Sequence, residues 1–241
     1  MTDFSRRTFL SSAGLALAGG ALASPASFGA ATPQVPAALD HILLGISDLD
    51  HGIAFVEEHT GVRAAFGGVH PGRGTRNALL RLGTRRYLEI IAPDPQQATL
   101  AAYPELRDMR EPHLLTWALH TDDISAVEKK LTAEHIAIEG PEAGSRARPD
   151  GKVLHWKALR LKDDRGGLLP FFIEWGRDSV HPSIDAPSGC HIASFSAEGP
   201  KPKQLRETFA LVGVDVIVRA AEKPQLRARI EGPKGALELT S

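Results

Sequence analysis

From Leu39 the apolar positions alternate and then change period. Leu39-Asp-His-Ile-Leu-Leu-Gly-Ile46 predicts a strand with His41, Leu43 and Gly45 on one face and Ile42, Leu44 and Ile46 on the other. Ile53 and Val56 then follow helical spacing behind a capping Asp48 or Asp50, and Gly61 ends the run. Arg63–Phe66 predicts a short second strand, followed by the glycine-rich loop "GGVHPGRGT" at 67–75. Asn77–Leu82 and Arg86–Ile91 read as two further strands around a Gly83-Thr84 turn. Residues 38–95 thus spell β-α-β-β-β.

A proline-rich connector covers 93–112, and the same order then recurs over 112–178. Leu114–Leu119 is a strand, and Asp122 or Asp123 caps a helix carrying Ile124, Val127 and Leu131. Ile136–Ile138 is a short strand, 139–152 a polar loop, and Val153–Leu161 and Leu169–Trp175 are strands joined by a turn at Asp163–Gly167. The copies align: His41 lies seven residues before Asp48, and Thr116 seven before Asp123. Glu89 and Glu174 each fall in the last strand of a copy. Residues 189–241 suggest a partial third copy, βαβ-like, with strands near 192–195, 214–218, 226–230 and 236–239 and a helix at 202–211. Repetition of this kind predicts an α+β fold of paired βαβββ modules curving into a cupped mixed sheet.

Two features lie outside that pattern. Residues 1–31 place Ser5-Arg6-Arg7-Thr8-Phe9-Leu10 before a Gly/Ala-rich run, which resembles a cleavable twin-arginine signal with cut sites after Ala23 or Ala31. The run is shorter than the roughly 20 strongly apolar residues of a bilayer span, so no stable membrane anchor is expected after processing, and the address is periplasmic or otherwise exported. Losing Arg6, Arg7 and Asp3 turns 28 basic and 29 acidic residues into 26 and 28, a net charge of about −2. Such a surface lacks the basic field that nucleic acid selects. The only cysteine, Cys190, leaves the fold without an internal disulfide.

The candidate chemistry begins with Glu89, a carboxylate inside the apolar strand "RYLEIIAP". A buried unpaired carboxylate costs several kcal/mol or more, so it needs an arginine, a proton or a metal ion. Period two puts it on one face with Tyr87 and Ile91, and Arg76 or Arg81 is an available partner. His41 is either a hydrogen-bonded core histidine or a pocket group. In the 67–75 loop, His70 with Thr75 and Asn77 can offer a ring nitrogen, a hydroxyl and an amide to a polar substrate, and the glycines permit close backbone approach. Arg146 and Arg148 in the 139–152 loop are either solvated or face an anion, and His181 in "HPS" can close the cup. Phe171 and Trp175 alternate with Glu174 and read as core. No Gly-x-Ser-x-Gly elbow supports a serine triad, and the 67–75 loop lacks the ending of a phosphate loop.

Two such modules, with "LDHILLGISDLD", "GGVHPGRGTRNALL", "YLEIIAP", "TWALHTDDI" and "PFFIEW" followed by "HPS", resemble the vicinal oxygen chelate superfamily, and within it the glyoxalase-like domain family. The resemblance covers 38–240. It implies a cup holding a divalent metal (iron, manganese or zinc) by ligands from the first and last strands of each module. Carried over, the ligand positions are His41, Glu89, Thr116 and Glu174. Thr116 departs from the pattern, which leaves His41, Glu89 and Glu174 as the implied metal set. The implied activity is that of a metal-assisted lyase, isomerase or dioxygenase on a small oxygenated molecule. Glu174 or Glu89 would move the proton, and His70, Thr75 and Asn77 would bind the substrate. The alternative is a metal-free periplasmic binding or sequestering protein using the same cup. With both modules in one chain, a monomer or a homodimer serves equally well.

Overall fold

Each repeat begins with a strand whose two faces meet different surroundings, and this sets the architecture. In β1 (Leu39–Gly45), Ile42 and Leu44 are fully buried among the outer-layer residues, whereas Leu43 joins a small inner cluster with Ala118, Ala158, Phe171 and Ile173. A strand buried on both faces is a strand with a layer on each side. The computed structural model describes residues 35–241, and the candidate signal at 1–31 lies outside them. Among the described residues, no helix is long and apolar enough to cross a membrane.

The first half continues through α1 (Leu49–Thr60), β2 (Ala65–His70), β3 (Thr75–Gly83) and β4 (Arg86–Pro93). The second runs through β5 (His113–His120), α2 (Ile124–Ala133), β6 (Ile138–Ala147), β7 (Val153–Leu161) and β8 (Phe171–Trp175). The sequence dictates both helix starts. Asp48 accepts a hydrogen bond from the His51 amide and Asp123 one from the Ala126 amide, and Gly61 closes α1 in the left-handed conformation. Ile53, Val56, Ile124 and Leu131 turn the helices' apolar stripes onto the outside of the sheet. Fully burying each such side chain contributes about 1.5–3 kcal/mol.

The eight strands close into a barrel in the order β1-β4-β3-β2-β6-β7-β8-β5. One seam, β1 against β5, is a long antiparallel pairing; the other, β2 against β6, is the single pair Val69–Ala147. Two stretches read as loops prove to be largely strand. Residues 138–147 form β6 in spite of Gly140 and Pro141, because β7 pairs with it on both sides of an irregularity at those two residues. Likewise β2 continues through Gly67 and Gly68 to His70 before turning back into β3. Tertiary pairing overrides the local turn signal at both places.

Residues 191–240 repeat the order of elements but not the connectivity. The strands β9 (His191–Gly199), β10 (Ile217–Ala220), β11 (Gln225–Gly232) and β12 (Gly235–Thr240), with α3 (Pro202–Val212), form a separate sheet in the order β10-β9-β11-β12. Its first strand lies in the interior beside its second, whereas β1 pairs with the last strand of its module. Trp117 on the outer face of β5 packs, with tilted rings, against Phe195 and Phe209 at centroid distances of 4.8 and 6.2 Å, and docks this layer on the barrel.

Candidate functional site

A cavity of about 70 Å³ lies inside the barrel. That is room for roughly five water molecules or a small organic molecule. Its polar wall is built by the first half, where β1, β4 and β3 run side by side. The register places Glu89 against Leu43 on one side and Leu79 on the other, and His41 against Tyr87. The inner face of β1 thus contributes His41, and that of β4 contributes Tyr87, Glu89 and Ile91.

Glu89 is only 7% exposed, and one amide and two imidazole rings stand against its carboxylate. The Asn77 amide donates to its Oε1 at 2.7 Å. The Nε2 atoms of His41 and His70 stand 3.6 Å from Oε2 and Oε1 respectively. Spending the Asn77 amide this way leaves its own Oδ1 buried without a partner, a defect that costs about 1–3 kcal/mol. His70 is fixed by Thr75, whose Oγ1 lies 2.9 Å from Nδ1. Burial lowers the His70 pKa to about 4; Glu89 opposes this, and Arg146 and Arg73 add to it, so the ring is neutral at pH 7.

His41 is fixed from behind. Its Nδ1 lies 2.7 Å from Oδ1 of Asp40, which has no exposed surface. The other oxygen of Asp40 is 3.1 Å from His181 Nε2 and accepts from the Trp175 indole at 3.1 Å. Burial by itself would raise the Asp40 pKa, but the hydrogen bonds from His181 and His41 and their charges hold the carboxyl well below the usual carboxylate range. An ionised Asp40 only accepts, so His41 Nδ1 must donate, and its Nε2 faces Glu89. The ring also stacks on Tyr87 with centroids 4.6 Å apart.

The second half closes the cavity with a different set: Arg146, Trp156, Arg160, Phe171, Ile173 and Trp175. Arg146 is 4% exposed, and its guanidinium donates to the Gly67 carbonyl. Burial lowers its pKa and Glu89 raises it. Two glycines make this approach possible. A Cβ on Gly68, whose φ is +145°, would lie 2.9 Å from Arg146 Nη1, and one on Gly67 would lie 2.5 Å from Asn77 Oδ1. Glycine at these positions therefore makes room for side chains of the site. Arg73 and Arg160 stand at the mouth, shared with an outer cleft of about 820 Å³. Arg73 pairs with Glu142 at 3.6 Å and Arg160 lies over the Phe171 ring at 5.2 Å. Burial pushes the phenol of Tyr103, at the same mouth, up to about 12, so it remains a neutral donor.

His41, Glu89, His70, Thr75 and Asn77 therefore meet in one cavity, but Glu174 does not. On β8 the inward positions are Phe171, Ile173 and Trp175. Glu174 faces out, accepts from the Ile124 amide at the start of α2 at 2.7 Å, and lies 3.7 Å from Lys157 Nζ. The pairing register gives the reason. Asp48 and Asp123 are equivalent helix caps 75 residues apart, which maps Leu43 onto Ala118. Leu43 pairs with Glu89, and Ala118 pairs with Phe171. The counterpart of Glu89 is Phe171; Glu174 lies three residues further on, an odd step that turns a side chain to the opposite face. Thr116 is buried and lines the outer cleft rather than the inner cavity.

The implied metal set of His41, Glu89 and Glu174 does not fit this geometry. Among the described residues, no group of three His, Cys, Asp or Glu side chains is disposed to hold a metal ion. The Asn77 amide occupies an oxygen of Glu89, and Arg73, Arg146 and Arg160 already supply the cavity with positive charge. Asp40, Arg73, Tyr103, Trp156 and Arg160 were not singled out as site groups. Period two along β7 would have brought out Trp156 and Arg160 together, and the place of Asp40 beside His41 was the signal for its role.

Paired βαβββ modules closed around an inner cavity define a protein of the vicinal oxygen chelate type. The pattern of the glyoxalase-like domain matches residues 39–213, and the chain belongs to that family. No curated protein matches it significantly. Among solved structures, a hypothetical protein from Staphylococcus aureus is 19% identical, with a TM-score of 0.59 and 84% of each chain covered. A methylmalonyl-CoA epimerase from Mycobacterium tuberculosis is 20% identical over 59% of this chain and 89% of its own, with a TM-score of 0.43. One from Streptomyces coelicolor, in complex with 2-nitronate-propionyl-CoA, is 19% identical over 56% and 95%, with a TM-score of 0.42. The first of these likenesses bears on the fold alone.

Proposed function

We propose that the protein binds a small anionic, carbonyl-bearing molecule in the barrel and transfers a proton at the carbon beside the carbonyl, as an isomerase or lyase does. The observation that carries this reading is the pairing of a buried carboxylate, Glu89, with a buried guanidinium, Arg146, across one small cavity. Glu89 takes the proton from carbon as general base, and His41, aimed by Asp40, accepts it from Glu89 through Nε2. Arg146 faces the substrate oxygen on which negative charge develops, where a guanidinium in a water-poor site is most effective. Arg160 and Arg73 at the mouth draw the anion in. The Tyr103 phenol adds a neutral donor at the mouth. No step is derived through a metal ion, because the donor set does not fit one. The resemblance of residues 1–31 to a twin-arginine signal supports export, and we propose that this chemistry takes place outside the cytoplasm.

The test is deuterium wash-in. Small 2-oxo and 3-oxo carboxylates are incubated with the protein in D2O and followed by NMR. Exchange at the carbon beside the carbonyl, lost in Glu89→Gln and unaffected by chelators, supports the reading. Binding without wash-in supports the metal-free binding protein instead. Stoichiometric metal in the isolated protein, lost together with activity in His41→Ala, overturns the metal-independent mechanism.

A further inference from the structure

The inner cavity holds no more than the head of a substrate. At about 70 Å³ it has room for roughly five water molecules, the bulk of a three-carbon oxo acid. Anything longer must extend out of it, and the lining residues mark the route. The cavity shares Arg73, Ala102, Tyr103, Arg160 and Phe171 with the outer cleft of about 820 Å³. It shares only Arg146 with the cleft beside β2 and only Trp175 with the cleft at His120.

The outer cleft differs from the cavity in charge. Arg73 and Arg160 stand at the mouth between the two. Beyond them, the described lining holds Glu105, Glu139, Glu142 and Asp164 and no further lysine or arginine. Glu142 is engaged by Arg73 at 3.6 Å, and Asp164 accepts from the Gly166 amide at 3.0 Å. Glu105 and Glu139 are exposed. The apolar part of the lining comes from Leu114, Leu115, Leu161, Leu169 and Pro170, on β5, β7 and the segment leading into β8.

We propose that the outer cleft is a second binding subsite, and that the substrate is an oxo acid whose chain passes the mouth and lays an uncharged, largely apolar body in the cleft. This rests on the reading of the inner cavity as a site for an anionic, carbonyl-bearing head, and it adds the part of the molecule that sets specificity. The guanidinium groups of Arg73 and Arg160 favour one negative charge, at the head. A second carboxylate or a phosphate at the far end of the molecule would lie among the four carboxylates of the cleft, and like charges there reject it. An apolar body gains instead, since each fully buried methylene strengthens binding about fourfold. Short oxo acids therefore bind weakly, long uncharged ones bind tightly, and phosphorylated or dicarboxylic ones are turned away.

Calorimetry on the full chain tests this with three ligands: a three-carbon 2-oxo acid, its straight-chain eight-carbon homologue, and the eight-carbon 2-oxo acid that ends in a second carboxylate. The homologue should bind at least tenfold tighter than the three-carbon acid, and the diacid at least tenfold more weakly than the homologue. The double variant Glu105→Gln/Glu139→Gln, altered at two exposed positions, should bring the diacid within threefold of the homologue. Equal binding of the short and long monoacids overturns the subsite alone. A diacid as tight as the homologue, or one that the double variant does not improve, overturns the uncharged body. Failure of all three to bind overturns the subsite together with the reading of the cavity. Tighter binding of the homologue without deuterium wash-in overturns the proton transfer and leaves the subsite standing.

Discussion

The two halves of the barrel share an element order and equivalent helix caps, yet they line the cavity in opposite ways. The first half contributes His41, His70, Asn77 and Glu89, a hydrogen-bonded cluster around one carboxylate. The second contributes Trp156, Phe171, Ile173 and Trp175 with two guanidinium groups. At the equivalent inward place the first half has Glu89 and the second Phe171. The helix caps and outward apolar positions hold the architecture, so they are similar in both copies. The inward positions carry no such duty and can diverge. A duplicated fold need not carry a duplicated site, and here one half holds the acid–base groups while the other supplies an apolar and cationic wall.

The sharpest way to break this comparison is to remove the two glutamates separately. Glu89→Gln should lower proton transfer by about 10³-fold with the fold intact, and Glu174→Gln should leave it within twofold. Deuterium wash-in checks both, and an equal loss in the two variants would restore the symmetric site. The next largest effect is on acid stability. His70 has its pKa lowered in the fold, so the unfolded chain binds a proton that the native state refuses. Stability is therefore present above pH 6.5 and falls as the pH drops towards 4, by about 3 kcal/mol. Denaturant midpoints of the native protein and His70→Gln across that window should converge at acid pH. For the second half, Arg146→Met should weaken binding of a small carboxylate about 30-fold, roughly 2 kcal/mol, measured by calorimetry. The smallest effect is structural. Glu174→Ala should cost about 1 kcal/mol by leaving the first amide of α2 without its acceptor, read as a lower thermal midpoint with binding unchanged.

Much of this was legible along the chain, and the failures have a common cause. The alternation in β1 and β4 correctly separated His41, Leu43, Tyr87 and Glu89 from Ile42, Leu44, Leu88 and Ile90. The caps Asp48 and Asp123 are the ones used. Glu174 was misplaced because similarity of position, a glutamate near the end of a last strand, stood in for register. A shift of an odd number of residues turns a side chain to the other face. Gly140, Pro141 and Gly144 are local breakers that place Arg146 in a loop, and only pairing with β7 makes that stretch a strand with an inner face.

By itself the sequence determined the repeated βαβββ order, the helix ends and the two-faced strands, because periodicity and capping are properties of neighbours along the chain. The pairing of Ala118 with Phe171, the burial of Arg146 beside Gly68 and the meeting of Asp40 with His120 and His181 were decided by the tertiary structure. Those contacts join residues up to 141 positions apart, and no local pattern records which strand lies beside which or in what register.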